Sequence, residues 1–213
     1  MSQIISLPPK LLSLKKRTLI FDSSELILYS EGMLTEDRLF LKNHEIQNIR
    51  FGIENIRGFE FNIGRLYEVF LKDEHSKVMK IAFSSLYGYQ RTNRDELYIE
   101  LLNSLWNSFF EEKYNFFMNA FEQAISFQIG YVLFNPIGIE ILNPIFKSKS
   151  NLKIKWEDLQ TEDYVSNFTV MDKHQVVHIN RSFSYLKDWD TLLLKSVVRS
   201  ILNNKNLEKK SVF

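Results

Sequence analysis

The chain has 213 residues, with 27 Lys and Arg against 26 Asp and Glu, a formal charge of +1, 45% hydrophobic residues and no cysteine. That is enough chain for one or two domains, and its near-neutral balance argues against a nucleic-acid partner held by whole-chain charge. Without thiols there is no disulfide framework, thiolate zinc site, thiol nucleophile or iron–sulfur cluster; the four scattered histidines point to no metal, and no apolar run approaches the roughly 18 to 20 residues of a membrane span.

The first sixteen residues read as an N-terminal arm. Pro8 and Pro9 interrupt it, and its positive charges (Lys10, Lys15, Lys16, Arg17) follow the apolar residues, the reverse of a secretory signal. The expected location is cytoplasmic, and Asn167-Phe168-Thr169 and Asn180-Arg181-Ser182 are read as chance sequons. Leu26, Leu28, Leu39 and Leu41 alternate with the period of two of half-buried antiparallel strands. The polar break Asp73-Glu74-His75-Ser76 predicts a hairpin turn. Asn93, followed three residues later by Glu96, has the spacing of a capping box. From 89 to 129 there is neither Gly nor Pro, and Leu97, Leu101, Leu105, Phe109, Phe117, Phe121 and Ile125 recur every three to four residues or at multiples of that spacing. One long helix, or two in line, is predicted, and about 30 residues would span about 45 Å. The aromatic crowd Trp106, Phe109, Phe110, Tyr114, Phe116, Phe117 and Phe121 is wider than one stripe needs, which predicts burial on more than one side. Ile139, Ile141, Leu152 and Ile154 repeat the strand alternation, Asp172-Lys173-His174-Gln175 repeats the turn, and Asp188 or Asp190 is placed to cap a last helix carrying Leu193, Val197 and Ile201.

These segments repeat in order. Leu19-Ile20-Phe21-Asp22 falls on Val132-Leu133-Phe134-Asn135 at a shift of 132 − 19 = 113, which also sets Leu39-Phe40-Leu41-Lys42 on Leu152-Lys153-Ile154-Lys155 and Ile46-Gln47 on Leu159-Gln160. Asp73 and His75 fall on Asp172 and His174 at a shift of 172 − 73 = 99. The constant offsets predict an internal duplication.

Leu26-Ile27-Leu28-Tyr29-Ser30-Glu31-Gly32, then Leu39-Phe40-Leu41 and His44-Glu45-Ile46-Gln47-Asn48-Ile49, resemble the early strands of bacterial pleckstrin-homology-like domains. Lys77-Val78-Met79-Lys80-Ile81-Ala82-Phe83 and the helix from Asn93 resemble their later part, and Trp156-Glu157-Asp158-Leu159 takes the place of His44-Glu45-Ile46 in the second half. The resemblance implies an α+β chain of two such units, each an antiparallel curved sheet or partly open barrel capped by a C-terminal helix, joined by a long helix. The expected boundaries are an arm over 1–16, unit 1 over 17–110, a helical linker over 111–126, unit 2 over 127–203 and a tail over 204–213. It also implies a binding module, since such domains bind phosphoinositides, peptides or proteins.

No catalytic signature accompanies these elements: no Gly-rich phosphate loop, no His-Glu-x-x-His, no Gly-x-Ser-x-Gly and no Asp-rich calcium loop. We expect no enzyme, no cofactor and no metal. His174 and His178 are read as strand or turn histidines, and Glu157, Asp158, Glu162 and Asp163 as a solvated strand end. Lys147 and Lys149, with Lys153 and Lys155, form the best candidate contact for an anion or lipid headgroup, and Lys15-Lys16-Arg17 adds a weak basic contact. Trp106, Phe110, Phe117 and Phe121 form the candidate interaction surface. The expected function is an intracellular, non-enzymatic scaffold with a protein partner or a second copy of the chain; the alternative is a peripheral binder of anionic membrane surfaces, and no nucleic acid is expected.

Overall fold

A computed structural model describes residues 3–8, 16–31, 36–58, 61–88, 90–142, 151–176 and 179–205, and the chain divides into two units, 1–109 and 110–213. In unit 1, β1 (Gln3–Leu7), β2 (Lys16–Phe21), β3 (Glu25–Glu31) and β4 (Glu36–Lys42) pair in sequence order. Ile5, Leu19 and Leu28 lie across from one another, as do Phe21, Leu26 and Leu41, and all six are buried. A one-residue slip would turn the whole set to water, so the alternation fixes the register. The residues expected to form a free arm thus supply β1, because Ile5 and Leu7 carry that same alternation.

A 3-10 turn, Asn43–Glu45, leads to β5 (Ile46–Gly58), β6 (Phe61–Asp73) and β7 (Val78–Leu86), a second antiparallel sheet in that order. Tyr67, Val69 and Leu71 face Phe83, Ile81 and Met79 across the register, all buried. The Tyr67 and Phe83 rings stack at 5.0 Å, and Tyr98 of α1 (Arg91–Leu105) closes on Tyr67 at 5.4 Å. Aromatic contacts of this kind add about 0.5 to 1.5 kcal/mol beyond area burial.

Unit 2 runs α2 (Glu111–Glu122), then the sheet β8 (Phe127–Ile129), β9 (Val132–Phe134), β10 (Gly138–Ile141) and β11 (Leu152–Lys155), then a 3-10 turn, Trp156–Asp158. A second sheet follows, β12 (Leu159–Asp163), β13 (Asn167–Asp172) and β14 (Asn180–Ser184), and then α3 (Thr191–Asn204). Leu193, Leu194, Val197, Val198, Ile201 and Leu202 are buried along α3, which packs on β13 and α2. The strands β12 and β13 have 5 and 6 residues where β5 and β6 have 13 each. That truncation absorbs the drop in sequence offset, 113 − 99 = 14 residues.

The architecture corrects the expectation of two pleckstrin-homology-like units joined by a long helix. The strands form four separate antiparallel sheets of four, three, four and three strands; period-two alternation marks a strand but does not say which sheet it joins. Nor is there one long helix, because the π-helical turn Trp106–Phe110 separates α1 from α2. A π turn inserts an extra residue into the helical repeat and so shifts the buried positions in sequence. Leu101 and Leu105 are buried as the spacing predicts, but the next buried residue is Phe110 instead of Phe109, and then Met118 and Ala120 instead of Phe117 and Phe121. The capping box is also displaced. The N-cap of α1 is Gln90, in the left-handed region at φ 52°, and Asn93 lies inside the helix. Asp190 does hold the N-cap position of α3, at φ 61° and with no side-chain cap bond.

Asp163, the last residue of β12, ties that strand to α3. It accepts hydrogen bonds from Lys195 Nζ at 2.5 Å and Tyr185 Oη at 2.7 Å, with Arg199 Nη1 at 3.5 Å. Partial burial works to raise its carboxyl, but the bonds from Lys195 and Tyr185 and the charges of Lys195 and Arg199 outweigh it and hold the group below the ordinary value of 3.8. A depressed carboxylate stabilises the fold above its unfolded value and loses that contribution as pH falls through the folded one. Asp163→Asn is therefore expected to lower stability at pH 7 by on the order of 1 kcal/mol, the low end for charged hydrogen bonds because water screens the site. Urea denaturation of both proteins should show the gap closing below the ordinary value of 3.8.

Candidate functional site

In unit 2 the chain turns from β9 into β10 through Asn135, whose Oδ1 accepts the backbone N–H groups of Ile137 at 3.1 Å and Gly138 at 3.0 Å. This side-chain-to-backbone turn leaves Pro136 exposed and Ile137 73% exposed. Only glycine fits at 138, since a Cβ there would meet the Ile154 carbonyl oxygen at 2.1 Å. Trp156 docks onto the turn from the start of the 3-10 segment: its backbone N–H donates to Ile137 O at 3.1 Å and its Nε1–H to Asn135 O at 3.0 Å. The buried indole meets Phe121 edge-on at 5.4 Å and lies 6.1 Å from Phe134.

Two cations flank this floor. Lys155 ends β11 with most of its side chain in water, and Lys205, just past α3, sets its Nζ 5.5 Å from the Phe121 ring centroid. Pro136, Ile137, Lys155, Trp156, Glu157 and Lys205 line an open groove of about 490 Å³. Glu157 stands 3.8 Å from the Lys155 ammonium, so the groove carries two positive charges and one negative. An anionic group that also presents an apolar surface finds both complements there.

Of the four lysines singled out in the sequence, Lys155 lines this groove. Lys153 shares its strand face but faces Glu140 at 3.8 Å, and Lys147 and Lys149 lie outside the described residues. The aromatic candidates separate similarly. Phe121 packs beside the groove floor, Phe117 is half-buried against Phe127 at 5.0 Å, Trp106 is half-buried in the π turn, and Phe110 has no exposed surface. Sequence reasoning passed over Ile137, Trp156 and Lys205; Asn135-Pro136 before Ile137 was the available turn signal, whereas Lys205 carried none.

A second cluster lies in unit 1, where the 3-10 turn meets the β6–β7 hairpin. The Glu74 backbone N–H donates to Glu45 O at 3.0 Å. Glu45 Oε1 accepts Lys42 Nζ at 2.7 Å and lies 3.8 Å from His44 Nε2, and Glu74 Oε1 lies 3.6 Å from His75 Nε2. Unit 2 makes the same backbone bond, from Lys173 N–H to Asp158 O at 2.8 Å, with Lys173 Nζ at 3.4 Å and His174 Nε2 at 3.2 Å from Asp158 Oδ1. The acidic run of the second half is thus spent locally, since Asp158 pairs with these two, Asp163 with Lys195, and Glu162 accepts the Tyr164 hydroxyl. His178 lies outside the described residues.

No family model matches the chain, and a search of curated proteins returns no match. Among the described residues no helix is long and apolar enough to cross a membrane.

The placement of Phe110 separates core from surface in the aromatic run. Phe110→Ala is expected to cost about 3 to 5 kcal/mol, as for other fully buried phenylalanines, while Phe116→Ala, at a side chain 66% exposed, should change stability by less than about 1 kcal/mol. Urea unfolding of the two variants checks this, and equal losses would refute the register set by the π turn.

Proposed function

We propose that the protein is a non-enzymatic binding module whose unit 2 groove holds an acidic segment of a protein partner. The observation that carries this reading is the convergence of Lys155 and Lys205 with Pro136 and the exposed Ile137 on one open groove, over a floor closed by the buried Trp156 indole. A carboxylate-rich peptide would place its charges on the ammonium groups and one apolar side chain against Pro136 and Ile137. Binding of this kind gains specificity from charge and affinity from the apolar anchor. The anionic-membrane alternative would use Lys153 and Lys155, each 3.8 Å from a carboxylate, and makes no use of the apolar residues of the groove. The same reading takes the two units as copies of one duplicated unit, supported by their matched turn-to-turn backbone bonds.

Fluorescence anisotropy with a labelled peptide of four glutamates around one leucine tests the groove. Saturable binding is expected, weakened about tenfold or more when Lys155→Glu and Lys205→Glu are combined, because like charges then face the peptide. Binding that the double variant leaves unchanged overturns the reading. Loss of phosphatidylserine-vesicle binding in the same variant, with no peptide binding by the wild type, replaces it by the membrane-surface alternative.

A further inference from the structure

The unit 1 cluster supports a second inference that does not depend on the groove. His44 and His75 are 75 − 44 = 31 positions apart in sequence, yet each stands beside a carboxylate of the same turn-to-turn junction. One donor atom each from Glu45, Glu74 and His75 lies within 4.8 Å of the others; His44 Nε2, 3.8 Å from Glu45 Oε1, stands beside this set and outside it. The backbone beneath them is fixed. Glu74 N–H donates to Glu45 O, the Asp73 carboxylate accepts the Lys77 N–H at 2.7 Å, and the left-handed Ser76, at φ 66°, completes the turn. The donors therefore hang from two short segments whose separation is set by hydrogen bonds instead of by flexible loops.

We propose that Glu45, Glu74 and His75 form a binding site for a divalent transition-metal ion of the zinc class. One imidazole with two carboxylates is a nitrogen and oxygen donor set that zinc accepts with water in the fourth position, whereas magnesium and calcium favour oxygen alone. Lys42 occupies one of the four lone-pair sites of the Glu45 carboxylate, so the ion either binds the remaining ones or displaces the ammonium. A bound ion would clamp the connection between the two sheets of unit 1 to the β6–β7 hairpin.

Unit 2 supplies an internal control. At the positions matching His44, Glu45, Glu74 and His75 it carries Glu157, Asp158, Lys173 and His174. Lys173 stands where Glu74 stands in unit 1, and its ammonium already faces the Asp158 carboxylate at 3.4 Å. Unit 2 thus has a lysine in place of one of the three donors, and its ammonium faces the remaining carboxylate.

Zinc chloride titrated into the full chain by isothermal calorimetry, with histidine imidazole spectra read in parallel by NMR, tests the site. One equivalent of saturable binding is expected, with a rise in melting temperature, and the resonances of His75 should shift while those of His174 do not. His75→Ala should weaken binding about tenfold or more, as the loss of metal-site groups does, and His174→Ala should leave it unchanged. All the altered histidines have mostly exposed side chains, and Glu74→Lys, which copies the unit 2 residue, gives a second variant that should abolish binding without emptying a core position. The proposal is overturned if no saturable binding is seen, if His75→Ala and Glu74→Lys bind as the wild type does, or if His174→Ala is as damaging as His75→Ala.

Discussion

Each unit hangs on a short set of hydrogen bonds that carry the chain from its four-stranded sheet into its three-stranded one. Where the first sheet ends, the backbone N–H of the first 3-10 residue donates to a carbonyl of the strand turn below it: Asn43 to Ser24 O at 2.9 Å, Trp156 to Ile137 O at 3.1 Å. The side chain of that same residue donates to a second carbonyl two residues earlier, Asn43 Nδ2 to Asp22 O at 2.8 Å and Trp156 Nε1 to Asn135 O at 3.0 Å. At the other end of the 3-10 segment the carbonyl of Glu45 or Asp158 receives the hairpin N–H of Glu74 or Lys173. Backbone groups withdrawn from water must find partners inside the protein. These bonds supply such partners, and in doing so they bring three connections together that are distant in sequence.

With the backbone fixed in this way, the identity of the side chains decides the chemistry. Replacing Asn43 by Trp156 at the matching position keeps the donated hydrogen bond but adds an indole, which reaches Phe121 and Phe134 and makes an aromatic floor. The lysine just before it then has a different fate. Lys42 is bonded at 2.7 Å to Glu45, whereas Lys155 meets the mostly exposed Glu157 only at 3.8 Å and projects beside the groove. On the hairpin side, Glu74 leaves two carboxylates and an imidazole together, while Lys173 places an ammonium among the same neighbours. The same junction thus gathers two carboxylates and an imidazole in unit 1 and borders a groove with two lysines in unit 2.

The strands were legible in the sequence because burial on one face leaves a period of two, as in Leu26, Leu28, Leu39 and Leu41, although Leu39 itself is only half-buried. The constant offset of 113 placed Lys155 against Lys42 and Leu159 against Ile46, and these pairs do occupy matching places in the element order. Sheet membership was not legible, since a 3-10 turn of three residues leaves the alternation on either side unchanged. The helical run misled for a different reason. A π turn has no compositional mark, so the apolar spacing through Phe109, Phe117 and Phe121 ran one residue out of step with the buried face at Phe110 and Met118. The sites were the least legible part. Lys205 and Trp156 are 49 positions apart (205 − 156), and only the folded unit 2, in which α3 packs on β13 and α2, makes them lining residues of one surface.

Both sites lie in connections instead of on sheet faces, and the charge pairing explains why. On the outer face of the second sheet of unit 1, Arg50 and Lys80 flank the Phe70 ring at 4.6 and 4.8 Å, and Lys80 also bonds the buried Glu68 at 2.5 Å. On β11, Lys153 faces Glu140 across the register. Cross-strand neighbours stand about 5 Å apart, so a charge on a sheet face nearly always finds its complement within the sheet. A turn residue has fewer fixed neighbours, and its side chain is satisfied only if another turn is brought to it. In this protein the 3-10 segments perform that approach, bringing two carboxylates and an imidazole together in unit 1 and setting Lys155 beside the buried Trp156 indole in unit 2.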